Sequence, residues 1–137
     1  MAAAFAFIFS PDGDLLLLKE EEKKRKYMWD LPGGTLTDQE APLTGLHREV
    51  REETGLKINV LSQSCWLKWD CHESGNPILV AFYLASTDTR EVTVSEEHTE
   101  FRWVKPAEYS RERLRVSAGE PIVAECFTRY RELTAGG

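Results

Sequence analysis

The chain has no long apolar run, few cysteines and no excess of basic charge, and each shortage excludes a class of protein. The longest apolar stretch, residues 1–9, is far below the ~20 residues that a membrane span requires. Ala2–Phe9 also has neither the basic start nor the cleavage pattern of a secretory signal, and it reads as a first strand. Three cysteines, Cys65, Cys71 and Cys126, are an odd number without metal-ligand spacing, which fits reduced thiols in a cytoplasmic protein. The net charge is −6, from 17 Lys and Arg against 23 Asp and Glu. That balance argues against a broad surface for a nucleic-acid polymer. An anionic small molecule can still bind where a metal or local cations reverse the sign.

What is present is ordinary for a small globular chain. The 137 residues are 42% hydrophobic and 29% charged, enough for one domain over 1–137 with a real core. Residues 2–9 and 14–19 flank Ser10-Pro11-Asp12-Gly13, a hairpin signal. Residues 58–71 and 78–86 alternate as strands around Glu73-Ser74-Gly75-Asn76, and 101–104 make a further short strand. Pro121 opens a terminal helix whose Ile122, Val123, Cys126, Phe127, Tyr130 and Leu133 follow helical spacing. Strands around one mid-chain helix, closed by a terminal helix, predict an α/β/α layered domain.

Residues 33–56 carry the chemistry. Gly34, Glu40, Arg48, Glu49, Glu52, Glu53 and Gly55 stand at fixed spacings, with apolar Val50 and Leu56 among them. At roughly 5–7% usage per residue type, seven coincidences in one register have odds on the order of one in 10^8. Pro42 suits a first helical turn and Gly55 a left-handed stop. Between them Leu43, Leu46 and Val50 form one narrow apolar stripe. Glu49, Glu52 and Glu53, three and four positions apart, share an adjacent face. Carboxylates packed that closely repel one another unless cations sit among them. Hard ions with oxygen ligands answer this, Mg²⁺ first and Mn²⁺ as a substitute. Arg48 can hold Glu52, four residues on, or tie back to Glu40. Upstream, Pro32-Gly33-Gly34 marks a sharp turn rather than a strand interior. Its glycines allow close backbone approach to a phosphate or metal.

Residues 34–56 resemble the Nudix box at every specified position. The resemblance extends to the opening hairpin and to residues 96–109, although the box is its specific part. It implies the Nudix fold, an α/β/α sandwich with a mixed β-sheet, and a hydrolase that cleaves a nucleoside diphosphate linked to another group. Gln39 and Leu46 depart from the commonest form, where Gly and Ala stand, and neither change removes a ligand. In Nudix enzymes similar to MutT, a glutamate six residues before a strand tryptophan completes the metal site or serves as base. Glu97 stands six before Trp103, with Glu96 and Glu100 in reserve. His98 reads as a surface or hydrogen-bonded residue rather than the base.

The roles implied are then as follows. Gly33 (through its carbonyl), Glu49, Glu52, Glu53 and Glu97 hold the metal. Glu52 or Glu97 takes the proton of the attacking water, and Arg48 orients a carboxylate. Gly33 and Gly34 face the diphosphate. Lys19 is either a phosphate contact or an exposed strand-end lysine. The run over 20–26, three acids followed by Lys23, Lys24, Arg25 and Lys26, is a solvated loop or a basic lip for polyphosphate.

Signatures of other subgroups are missing. Cys71, His72 and Glu73 stand where ADP-ribose enzymes place a Pro and diadenosine polyphosphate enzymes a Tyr. The Ser62–Trp66 segment lacks the prolines of the NADH motif. Elimination leaves a MutT-like hydrolysis of a (d)NTP or modified NTP to NMP and pyrophosphate. Residues 118–124 resemble the start of MutT's last helix, with Gly119 replacing an Asn that reads guanine. Trp103 reads as core, while Trp29 and Trp69 are open to base stacking. The alternatives are hydrolysis of a nucleotide sugar or dinucleotide, and a non-catalytic nucleotide sensor. The partner expected is a small nucleotide diphosphate derivative, and the assembly a monomer or homodimer.

Overall fold

A computed structural model describes residues 1–20, 29–96 and 98–135. Glu97 and the basic part of the 20–26 run lie outside the described residues. The first strand, β1 (Ala2–Phe9), organises the rest because both of its faces are apolar yet differ in bulk. Phe5, Phe7 and Phe9 point to one side; Ala4, Ala6 and Ile8 point to the other, as the two-residue period of a strand requires. β1 pairs antiparallel with β2 (Leu15–Glu20) and with the short β4 (Gly33–Thr35). It pairs parallel with β6 (Pro77–Ser86) over its whole length, from Ala2↔Leu79 to Phe9↔Ser86.

Among the described residues, seven strands form one mixed sheet of order β3-β2-β1-β6-β5. β3 is Trp29–Asp30 and β5 is Asn59–Cys71. β7 (His98–Val104) lies antiparallel to β2. A parallel neighbour needs a long crossover, and the connection from β1 to β6 contains the helix α1 (Pro42–Thr54). Its Leu46 and Val50 pack with Ala4, Ala6, Ile8, Leu16 and Leu18. The two alanines leave space for the helix beneath. The bulky face is covered by α2 (Pro106–Arg111) and α3 (Glu120–Ala135), through Tyr109, Val123, Cys126 and Phe127. Phe9 lies 4.1 Å from the Tyr130 ring and 5.7 Å from that of Phe127. Helices on both faces give the α/β/α sandwich anticipated from sequence.

Three local readings are corrected. Gly33–Thr35 is a strand, not simply a turn, with Phe5↔Gly33 and Ala4↔Gly34 in register. Glycine conceals this strand, because its usual marks are bulky side chains. Gly33 has φ +146°, and a Cβ there would stand 2.2 Å from the Ala4 carbonyl oxygen. Leu43 does not join the buried stripe and is 44% exposed. Leu36, from the loop before the helix, packs over Gly45 and against the same core. β7 begins three residues earlier than expected, and α2 and β3 are too short for periodicity to reveal. Cys65, Cys71 and Cys126 are all free thiols. Among the described residues no helix is long and apolar enough to cross a membrane.

Candidate active site

The site is assembled on α1, whose two ends are anchored differently. Pro42 occupies the first turn, and Gly55 closes the helix at φ +74° with its N–H donating to the Arg51 carbonyl at 2.9 Å. The last carbonyls of a helix lack partners within it. Here the connector leading to β7 supplies them: the Thr93 N–H donates to Thr54 O at 3.0 Å and the Ser95 N–H to Glu53 O at 3.2 Å. The segment just before β7 is thereby fixed against the carboxylate-bearing end of α1.

Along the helix the three carboxylates are graded in burial. The Glu53 side chain is 7% exposed, Glu49 18% and Glu52 60%. Burying a carboxylate is costly unless it is hydrogen-bonded. Glu53 Oε1 accepts the Gly33 N–H at 2.7 Å, and Glu53 Oε2 lies 3.5 Å from His98 Nε2. Glu49 sits over Gly34, where a Cβ would stand 2.8 Å from its carboxyl carbon. The two glycines therefore act separately, Gly33 giving an N–H and Gly34 giving room.

Arg48 makes both of the contacts left open by the sequence. Its Nε and Nη2 donate to the two Glu40 oxygens at 2.6 and 2.9 Å, the paired geometry that suits guanidinium and carboxylate. Its Nη1 reaches Glu49 at 3.1 Å and Glu52 at 3.2 Å. Arg48 is thus bonded to three carboxylates. Its hydrogen bond to Glu40 holds that carboxyl down at about 2, helped by the Thr37 backbone N–H. The same bond raises Arg48 above its ordinary value. Gly45 makes this possible, since a Cβ there would stand 2.9 Å from Glu40 Oε1. Glycine in a helix interior costs roughly 1 kcal/mol against alanine, which was the one sequence signal pointing to it.

The donor set tests well against a hard divalent cation. Glu49, Glu52 and Glu53 offer only oxygen, the type that Mg²⁺ and Mn²⁺ prefer, and Gly34 leaves the Glu49 carboxylate room. Among the described residues no three acidic, His or Cys side chains already form a closed ligand group. Lys19 stands opposite Glu100 on β7 and Trp29 on β3, its ammonium 3.7 Å from the Glu100 carboxylate. Glu96 is exposed. Of the two readings for His98, surface or hydrogen-bonded, the surface one does not hold: its side chain is only 6% exposed and faces Glu53.

A second region adjoins the Gly33 loop. Asp30 is 1% exposed, and its Oδ1 accepts the Leu31 N–H at 2.8 Å and the Ser117 hydroxyl at 3.1 Å. Lys68 Nζ donates to the Ser117 carbonyl at 2.7 Å. Beside this junction a cavity of about 220 Å³ is lined by Tyr109, Arg115, Val116, Gly119 and Glu120. Burial pushes the Tyr109 hydroxyl up to about 12. A wider hollow of about 420 Å³ lies beyond Gly55, lined by Thr54, Lys57, Thr87 and Asp88 among others. Glu49, Glu52 and Glu53 do not line it. Of the tryptophans, Trp66 lies nearly perpendicular to the Phe7 ring and Trp29 packs partly buried on the same core. Trp103 is half-buried, donates Nε1–H to the Arg90 carbonyl at 3.2 Å, and lies under the Arg90 guanidinium. Trp69 is 67% exposed.

Residues 1–126 match the family described as NUDIX domain. Nucleoside triphosphatase NudI of Escherichia fergusonii is 30% identical over 123 residues, which cover 81% of this chain and 86% of that protein. A MutT-like protein of Streptomyces ambofaciens is 33% identical over 107 residues, 78% of this chain and 65% of that protein. An Ap4A hydrolase of C. elegans, solved as a binary complex, shares the fold with a TM-score of 0.77 at 19% identity. That likeness covers 99% of this chain and 98% of that one. The MutT protein from Methanosarcina mazei Go1 superposes with a TM-score of 0.70 at 25% identity, over 98% of this chain and 95% of that one.

Proposed function

The chain belongs to the Nudix hydrolase family, and on that premise we propose that it hydrolyses a nucleoside triphosphate, or a modified one, to the monophosphate and pyrophosphate. The observation that carries this reading is the graded carboxylate face of α1 beside Gly33 and Gly34. The naming of the E. fergusonii relative as a nucleoside triphosphatase supports the substrate class. So does the cavity at Tyr109, Arg115 and Glu120, which offers hydrogen-bonding groups to a nucleoside.

Glu49, Glu52, Glu53 and the Gly33 carbonyl would hold Mg²⁺, with Glu97 as a further candidate; Mn²⁺ is the natural substitute. When bound, the metal supplies neutralisation of charge on the phosphoryl oxygens and a lowered pKa for water. The chain's own groups do the rest. Glu52, the most exposed of the three, can reach a water and accept its proton as the water oxygen attacks phosphorus. The anhydride P–O bond breaks, and pyrophosphate leaves with the electron pair. Arg48 holds Glu49 and Glu52 in place while its fork is braced on Glu40. The Gly33 N–H is committed to Glu53, so its carbonyl is the group left for a ligand. Lys19 would have to exchange Glu100 for a phosphate to join the site.

The test is a panel of NTPs, dNTPs, oxidised nucleotides, nucleotide sugars and dinucleotides with Mg²⁺, followed by product identification. NMP and pyrophosphate from a triphosphate is the expected result. Cleavage confined to nucleotide sugars or dinucleotides moves the activity to another Nudix substrate class. Binding without products from any of them would make the protein a sensor and end the hydrolase reading of its substrate.

A further inference from the structure

We propose that His98 is a positioning residue that orients the Glu53 carboxylate. This rests on Glu53 being one of the cation-holding groups. Two contacts between the β7 entry and Glu53 carry it. The Ser95 N–H donates to the Glu53 carbonyl at 3.2 Å, and the His98 N–H turns back to the Ser95 carbonyl at 3.1 Å. That turn brings His98 Nε2 to 3.5 Å from Glu53 Oε2, while Glu53 Oε1 takes the Gly33 N–H at 2.7 Å. Main chain and side chain of Glu53 are thus held by one short segment, and its two carboxylate oxygens face different neighbours.

The strand pairing explains how the ring comes to point inward. Lys19 pairs with Glu100, but Glu20 pairs with His98, so Thr99 is an extra residue on β7. In a regular strand, residues 98 and 100 would share a face. Here the Glu100 side chain is 54% exposed and that of His98 only 6%. A bulge of this kind re-aims one side chain, and the chain uses it to turn an imidazole onto a buried carboxylate. No change of protonation is required, since a neutral ring with hydrogen on Nε2 can donate to Oε2. Partners behind a ligating group preset its orientation and raise its affinity for metal.

Two variants and two measurements test this. In metal-free protein, His98→Ala should speed amide exchange at Gly33 by about tenfold or more, because its acceptor loses orientation. Amides in the β1–β6 ladder, such as Phe7, should keep their protection. Binding of Mn²⁺, followed by electron paramagnetic resonance, should weaken by about 10–100-fold. His98→Gln, which restores an N–H donor, should recover most of both. Unchanged Gly33 exchange in His98→Ala overturns the proposal. So does equal impairment of both variants with faster exchange in the β1–β6 ladder, which would mean a packing role. The amide measurement stands apart from catalysis: a wild-type protein that hydrolyses no nucleotide defeats the proposed function and leaves the exchange result to decide His98.

Discussion

Among the described residues Arg48, Arg90 and Arg102 each sit among acids, and the clusters of Arg90 and Arg48 make the sharpest contrast. Near the first hairpin, Arg90 meets Asp12 at 3.4 Å and Asp14 at 2.8 Å, and Lys105 adds a second cation to Asp14 at 3.1 Å. Two acids face two bases, and the ensemble pins the β1–β2 turn to the segment around Trp103. Burial pushes the Asp14 carboxyl up, but its bonds to Arg90 and Lys105 outweigh that and hold it below the usual range. On α1, Arg48 meets Glu40, Glu49 and Glu52, with Glu53 close behind on the same helix. The difference lies in carboxylates graded in burial along one helix face, beside glycines that allow close approach. Ion pairing settles the first cluster; the second is the one we propose to accept a divalent cation.

The comparison breaks most easily at its acidic end. Glu52→Gln should lower kcat by about 10²–10⁴-fold at saturating Mg²⁺, with an unchanged circular dichroism spectrum. Full activity in that variant would remove Glu52 from the chemistry. Next in size, Gly33→Ala should cost about 3 kcal/mol or more, seen as a lower urea midpoint, because it strains φ and strikes the Ala4 carbonyl. Arg48→Ala should reduce kcat/KM by about 10–100-fold, and Arg48→Lys should fall between, since it keeps the charge but loses the fork. The hairpin cluster should behave otherwise. Arg90→Ala should cost only about 1 kcal/mol, its side chain being partly exposed. Its kcat/KM should stay within about twofold of wild type. A large loss of activity there would erase the distinction.

Titration gives the smallest and sharpest contrast. The Glu40 carboxyl is at about 2 in the folded protein and near 4.5 when unpaired. A depressed acid stabilises the fold above its unfolded value and loses that contribution as pH falls toward the folded one. The stability difference between wild type and Glu40→Gln should therefore be constant above about pH 5 and shrink toward pH 2. Urea midpoints measured across that range check it. A difference that grew on acidification would contradict the Arg48–Glu40 assignment.

These clusters also show which parts of the molecule could be read from sequence. Spacing on a helix is local, so Glu49, Glu52 and Glu53 could be placed on one face from periodicity alone, and Gly55 marked where that helix stops. The layered fold followed from the hairpin turn after β1, from alternation in β5 and β6, and from the helices between and after the strands. Burial was not legible: Glu53 at 7% and Glu52 at 60% exposure differ because of what lies across from them, Gly33 and His98, which are 20 and 45 residues from Glu53 in sequence. The inward His98 depends on one extra residue in β7 pairing, which no period reveals. Asp30 and Ser117, joined across 87 residues, were likewise beyond local patterning. Gly45 could have been noticed, since a glycine in mid-helix needs a reason, and its reason is the Glu40 carboxylate above it.

At the centre stands the proposal that the carboxylates of α1 bind a divalent cation. The most direct measurement is Mn²⁺ binding by electron paramagnetic resonance, comparing wild type with the Glu49→Gln, Glu52→Gln and Glu53→Gln variants and with Asp14→Asn as the control from the hairpin cluster. Saturable binding is expected in wild type and Asp14→Asn, weakened by about tenfold or more in each α1 variant. Equal binding by all five proteins, or none by wild type, would contradict it.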